Sequence, residues 1–245
     1  MFELRNEKFD PKELLPTIFR IELELSKTDQ SQVSLYGGSI GIALFYAHLF
    51  LATQDEQYLE KLYEITNGAI ERLDTSEMPY ALAGGVAGVA WGLNYLIKKE
   101  FFSADVNELF EEIDDYIYLQ ALNDLNRSNL DLLHGGLGPI LFALERLPKD
   151  NAYAFITSAV TALINGQYSD DGGNHWRWWG VNGELQTNFG LSHGIPAIIM
   201  MLLKVFQKSI MTTEVRLLVN NTLEWMIGHK NTSGEISLYP ECYAH

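Results

Sequence analysis

The chain has 245 residues, 47% of them apolar, and its 17 Lys and Arg face 32 Asp and Glu for a net charge of −15. The apolar content suffices for a large core, and the negative balance argues against nucleic acid or an anionic membrane surface, since either would repel it. A single cysteine, Cys242, excludes an internal disulfide and points to a reducing cytoplasm. The opening Met-Phe-Glu-Leu-Arg-Asn-Glu-Lys has no apolar signal core, and the longest apolar run, 40–52, contains His48 and is too short to span a bilayer. A cytoplasmic protein with no membrane span is expected.

Segment 11–26 is expected to be a leading helix, because Leu14, Leu15, Ile18, Ile21 and Leu25 recur at helical spacing and Pro11 suits a first turn. The motif Tyr36-Gly37-Gly38-Ser39-Ile40-Gly41 follows, then a helix over 42–51 that is apolar nearly all round and should be buried on several sides. Segment 55–73 is different. Tyr58, Leu59, Leu62, Ile65, Ala69 and Ile70 line one face, while Glu56, Glu60, Lys61, Glu64 and Glu71 line the other. That pattern belongs to an amphipathic outer helix.

The pair then recurs. Ala83-Gly84-Gly85-Val86-Ala87-Gly88 leads into apolar 89–97 and amphipathic 106–125. His134-Gly135-Gly136-Leu137-Gly138 leads into 140–147 and 152–165, and Gly190-Leu191-Ser192-His193-Gly194-Ile195-Pro196 into 197–206 and 214–227. Anchored on Gly38, Gly85, Gly135 and Gly194, the steps are 47, 50 and 59 residues, with Gly41, Gly88, Gly138 or Ala197 three residues later. One helix-pair unit is therefore copied along the chain. Apolar helices inside and amphipathic helices outside make an all-α, α/α layer that curves into a toroid, with the inner-helix N-terminal loops gathered at one end. Residues 1–245 are expected to form one domain. Acidic residues such as Glu108, Glu111, Glu112, Asp114 and Asp115 fall in outer-helix segments, where they serve solubility. The long irregular insertion, 170–187, is rich in Gly, Asn and Trp and could hold a hairpin at Asn182-Gly183.

The glycines have two physical uses here: positive φ at a tight helix start, and close approach of neighbouring backbones where inner helices crowd. No strand precedes the motifs and no Lys-Ser/Thr follows them, so a P-loop phosphate cradle is not supported.

The loop Gly190-Leu191-Ser192-His193-Gly194-Ile195-Pro196, with Asp131-Leu132-Leu133-His134-Gly135-Gly136-Leu137-Gly138 before it, resembles the lanthionine synthetase C-like family, the LanC-type cyclases. The likeness covers all four motifs. It implies an α/α toroid, of which the chain would hold about four of seven helix-pair repeats, an incomplete ring lacking its C-terminal part. It also implies lantibiotic biosynthesis: addition of a cysteine thiol of a dehydrated precursor peptide to dehydroalanine or dehydrobutyrine, after a lanthipeptide dehydratase has acted. The family's zinc, held by two cysteines and a histidine, would bind the thiol as thiolate. Here the zinc-binding Trp-Cys-Tyr-Gly and Cys-His-Gly have no equivalent; Glu241 and Ala244 flank Cys242-Tyr243 where that motif has Trp and Gly. Zinc is therefore expected in a complete family member and not in this chain.

The resemblance makes His193 and Asp131 the catalytic candidates, for proton transfer. Each also has an ordinary structural role open to it. An imidazole between glycines can bond a neighbouring loop, and an Asp before a helix can cap backbone N–H groups. His134 holds in its own repeat the place His193 has in the fourth, and the two could face each other across the toroid mouth. Trp176 and Arg177, with His175, Trp178 and Trp179, are read either as a substrate-binding rim or as an insertion packed down by its own aromatics. Three functions stay open: a thioether-forming cyclase that would be inactive as this chain alone; a non-catalytic peptide- or partner-binding scaffold; and, more distantly, an α/α-toroid sugar hydrolase or epimerase using Asp170-Asp171 and the tryptophans. An open ring should also expose an apolar seam and self-associate through it.

Overall fold

Four helices that are buried along most of their length line up through the chain: α2 (Ser39–Thr53), α4 (Val86–Lys98), α6 (Pro139–Arg146) and α8 (Ile195–Gln207). They come from a computed structural model that describes residues 14–73, 78–170, 172–179, 184–231 and 236–245. Each packs on the next, α2 on α4, α4 on α6 and α6 on α8. Outside them lie α3 (Glu56–Glu71), α5 (Val106–Asn126), α7 (Asp150–Asn165) and α9 (Thr212–Gly228), each against the inner helix it follows. This is a partial α/α toroid of four helix pairs among the described residues, led by α1 (Leu15–Leu25). The proposed start of that leading helix at Pro11 lies outside the described residues, as do the side chain of Glu108, Asp171 and the Asn182-Gly183 turn.

The helix-start loops are stitched together by their backbones. Tyr36 N–H donates to Ala83 O at 2.9 Å, Ala83 N–H to Leu133 O at 2.8 Å, and Leu132 N–H to Ser192 O at 3.3 Å. All four glycine motifs therefore meet at one end of the molecule, as the repeat requires.

The glycines act through close approach more than through unusual torsions. Of the motif glycines, Gly37 alone has positive φ, at 80°, while the anchors Gly38, Gly85 and Gly194 are extended at −119°, −123° and −141°. The expectation of positive φ at the helix start is corrected accordingly. What these positions cannot tolerate is bulk: a Cβ on Gly88 would stand 1.8 Å from Leu82 O and 2.9 Å from Leu35 Cβ, and one on Gly138 would stand 2.6 Å from Leu82 Cβ. Leu35 and Leu82 belong to the preceding repeat's loop, so each missing side chain is the slot for a neighbour's leucine.

Short strands occupy the insertion. β1 (Tyr168–Asp170) pairs antiparallel with β2 (Gly173–His175), and β3 (Trp178–Trp179) pairs with β4 (Leu185–Asn188). The C-terminal β5 (Cys242–Ala244) adds to β4 and sets Cys242 opposite Asn188. The β1–β2 hairpin lies on α9, where the buried His175 ring stacks on Trp225, at 4.5 Å, and on His245, at 4.9 Å.

One acidic residue read as surface charge is interior. Asp114 of α5 is buried and holds Arg146 of α6 through contacts of 2.9 to 3.2 Å, with Lys149 at 3.3 Å. Among the described residues no helix is long and apolar enough to cross a membrane.

Candidate functional site

Asp131 stands in the loop between α5 and α6, next to the fourth helix-start loop because Leu132 N–H is bonded to Ser192 O. Its two oxygens do different jobs. Oδ1 accepts from the backbone N–H groups of Leu133 and His134, both at 2.8 Å, and so caps its own loop. Oδ2 lies 2.5 Å from Nδ1 of His193. One carboxylate therefore both caps its own loop and contacts the His193 ring. His193 is half exposed, and its ring stacks over His134 with centroids 6.4 Å apart and planes 15° from parallel. The two histidines that share a repeat position thus face each other at the mouth.

Beside the pair is a cavity of about 380 Å³, lined by Asp131, His193, Arg127, Ser128, Asn129, Tyr168, Arg177 and Trp178, with Leu130 and Leu185. Of its lining, Asn129 is held by Asp124, which accepts hydrogen bonds from Asn129 Nδ2 and from the Tyr80 hydroxyl. Burial and the neighbouring Asp124 push the Tyr80 hydroxyl pKa well above the usual phenol range. Arg177 enters the cavity wall fixed from two sides. Its Nε donates to Nε2 of His175 at 2.8 Å, and its guanidinium lies 4.5 Å over the Tyr168 ring. Burial first, and the Arg177 charge second, hold His175 down to a pKa of about 4, so at neutral pH it is an uncharged acceptor.

Trp176 is not a rim residue, and that expectation is corrected. Its side chain is 0% exposed and its Nε1 donates to Leu163 O at 2.9 Å, so it anchors the insertion onto α7. Trp178, in β3 beyond a break from β2, lines the cavity instead. The side chain of Trp179 lies outside the described residues. Trp178 was named in the aromatic cluster from the sequence, whereas Arg127, Asn129 and Tyr168 escaped the sequence reading of the site. Only Arg127-Ser128-Asn129 left a signal there, a polar turn just before Asp131. Asp170, considered for sugar chemistry, accepts from Gly172 N–H and Trp225 Nε1 and belongs to the hairpin's own structure.

A zinc ion of the type the resemblance implies does not fit the donors in this chain. Two thiolates and an imidazole are needed, and Cys242 is the single thiol. Its sulfur accepts from Asn188 Nδ2 at 3.6 Å, while burial and Glu241 raise its pKa and favour the thiol form. Nδ1 of His193 is engaged by Asp131, and among the described residues no three His, Cys, Asp or Glu converge as ligands would.

Fold and mouth together define a helix-pair-repeat toroid whose gathered loops carry a carboxylate–imidazole pair. The family model for lanthionine synthetase C-like protein matches residues 29–244, and the chain belongs to that family. Among solved structures it is similar to nisin cyclase, with a TM-score of 0.69 and 16% identity over 95% of this chain and 61% of that one. At that identity the likeness is one of fold, and the chain spans 61% of nisin cyclase's length. No curated protein matches it.

Proposed function

We propose that the chain handles dehydrated, cysteine-bearing peptides as a lanthionine cyclase-like unit, with His193 as proton carrier and Asp131 as the carboxylate that positions it. The observation supporting this is the single carboxylate shared between His193 Nδ1 and the amides of the neighbouring loop. In thioether formation the cysteine S–H loses its proton and the sulfur electron pair bonds to Cβ of the dehydro residue. The enolate so formed takes a proton at Cα, and no electron is gained or lost. An imidazole anchored through Nδ1 keeps Nε2 for that exchange, beside a cavity sized for part of a peptide.

Activation of the thiol by a metal is not assigned to this chain, because its donors do not fit one. The same misfit favours a second reading, a non-catalytic scaffold that presents a peptide to a partner such as the dehydratase. Titrating purified chain 1–245 with a dehydrated precursor peptide, and following free thiols by alkylation and mass spectrometry, separates the cases. Saturable binding without ring closure is expected. Ring closure by the chain alone would overturn the assignment of thiol activation elsewhere, and absence of binding would overturn both readings.

A further inference from the structure

The cavity beside His193 is cationic in a chain whose net charge is −15. Two of the chain's seven arginines, Arg127 and Arg177, line it. Among the described lining residues the one carboxylate is Asp131, already engaged by His193 and two backbone N–H groups, and Asp124 behind Asn129 is taken up by Asn129 and Tyr80. Arg177 is held in place before any ligand arrives, by the hydrogen bond to His175 and the stack on Tyr168. Pre-ordering of this kind lowers the entropy lost on binding.

We propose that this cavity is a carboxylate-binding subsite, seating an acidic side chain of the peptide close to the residue undergoing modification, with Arg127 and Arg177 as its contacts. The inference rests on the reading of this mouth as a peptide site. A guanidinium presents a planar fork that matches a carboxylate. A volume of about 380 Å³ takes one side chain and its flanking backbone. Trp178 supplies an apolar wall for the stem of that side chain, and Ser128 and Asn129 supply small polar groups. The acidic surface elsewhere repels the same side chain, so charge guides it into this recess and away from competing positions.

The test compares two fluorescently labelled peptides of equal length, each with cysteine and dehydroalanine. One carries Glu next to the cysteine and the other Gln, and binding to chain 1–245 is followed by anisotropy at low and at physiological salt. The Glu peptide is expected to bind about tenfold more tightly, and added salt is expected to shrink that advantage. Arg177→Gln and Arg127→Gln should each remove most of the preference. Arg177→Gln also strips a contact from buried His175, so Arg127→Gln, at an exposed position, keeps the result independent of how the insertion folds. Arg127→Glu should turn the preference towards a peptide carrying Lys.

Equal affinity for the Glu and Gln peptides overturns the subsite and leaves the peptide reading standing. Binding of neither overturns both. A phosphoserine peptide preferred over the Glu peptide by more than about tenfold would replace carboxylate by phosphate as the ligand. His193→Ala should keep the Glu-over-Gln preference, and its loss in that variant would show the subsite is not separate from the imidazole.

Discussion

Asp131 divides its carboxylate between two loops, one oxygen on the amides of Leu133 and His134 and the other 2.5 Å from Nδ1 of His193, 62 residues further along the chain. The pairing of a local cap with a long-range contact makes the loop geometry and the imidazole orientation depend on one side chain.

That dependence can be split. Asp131→Asn retains an oxygen for the two amides but offers His193 an N–H where the carboxylate accepted one. It should unfold within about 1 kcal/mol of the parent. The His193 tautomer, observed by ¹⁵N-edited NMR, should move from Nδ1–H to Nε2–H. Asp131→Ala should lose the cap as well, at roughly 1 kcal/mol or more. An unchanged tautomer in Asp131→Asn would mean that Asp131 does not orient the ring.

Two glycines of the second motif, Gly88 and Gly84, should respond very differently to the same methyl group. Gly88→Ala forces a Cβ to 1.8 Å from the Leu82 carbonyl, a backbone atom that has no room to move. About 3 kcal/mol or more should be lost in urea unfolding, or the protein should fail to accumulate. Gly84→Ala meets nothing within 4 Å and should stay within about 0.5 kcal/mol. Comparable losses in both would mean that close approach is not what the second motif requires.

The buried pair Asp114–Arg146 predicts a penalty of a different kind. Arg146 also lies 5.7 Å from the centre of the Phe110 ring and 5.8 Å from that of Phe142, so aromatics wall the guanidinium that the carboxylate holds. Asp114→Ala should cost about 3 kcal/mol or more by chemical denaturation, since it removes the buried carboxylate that accepts from Arg146 Nε and an Arg146 terminal nitrogen. Replacement of Glu111, an exposed acid on the same helix, should cost less than about 0.5 kcal/mol.

Acid should weaken the insertion through His175. Its folded pKa of about 4 lies below the value of about 6.5 expected when unfolded, so between these the unfolded chain takes up a proton that the folded chain refuses. The stabilisation is complete above about pH 6.5 and is lost as pH falls towards 4, amounting to at most about 3 kcal/mol. The groups around the ring are Asp170, whose charge favours the proton, and Arg177, His229 and His245, whose charges oppose it. In urea midpoints measured from pH 7 to 4.5, His175→Phe should show a shallower decline than the parent. Parallel curves would remove His175 as the cause.

The last helix pair among the described residues turns apolar side chains outward. Leu203, Leu217, Leu223 and Ile227 are exposed, and a cavity of about 480 Å³ between α8 and α9 is lined by Pro196, Ile199, Met200, Leu203, Leu223 and Met226. Patches of this type recruit partners or a second copy. Sedimentation should show association that grows with concentration and is relieved by Leu203→Lys with Leu223→Glu. A single monomeric species at high concentration would contradict it.

The helical plan could be read from residues close together in the chain. Apolar spacing at 3.6 residues marks each helix, the contrast between all-round apolar and one-sided segments separates inner from outer, and the recurring glycines mark where each unit begins. These signals are local, so the order of the layers and the gathering of the four loops followed from them. His193 and Asp131 were also visible, through motifs that lie inside single loops. Their partnership was decided only by the backbone bond from Leu132 to Ser192, which brings two distant loops into register. Helical spacing puts Asp114 in line with Phe110, Ile117, Tyr118 and Ala121, but only Arg146, arriving from another helix, lets a charge be buried there. Trp176 and Trp178 are the same residue type two positions apart. Only the docking of the insertion on α7 sent one into the core and left the other on the cavity, because burial is set by what packs against a side chain and not by its chemistry alone.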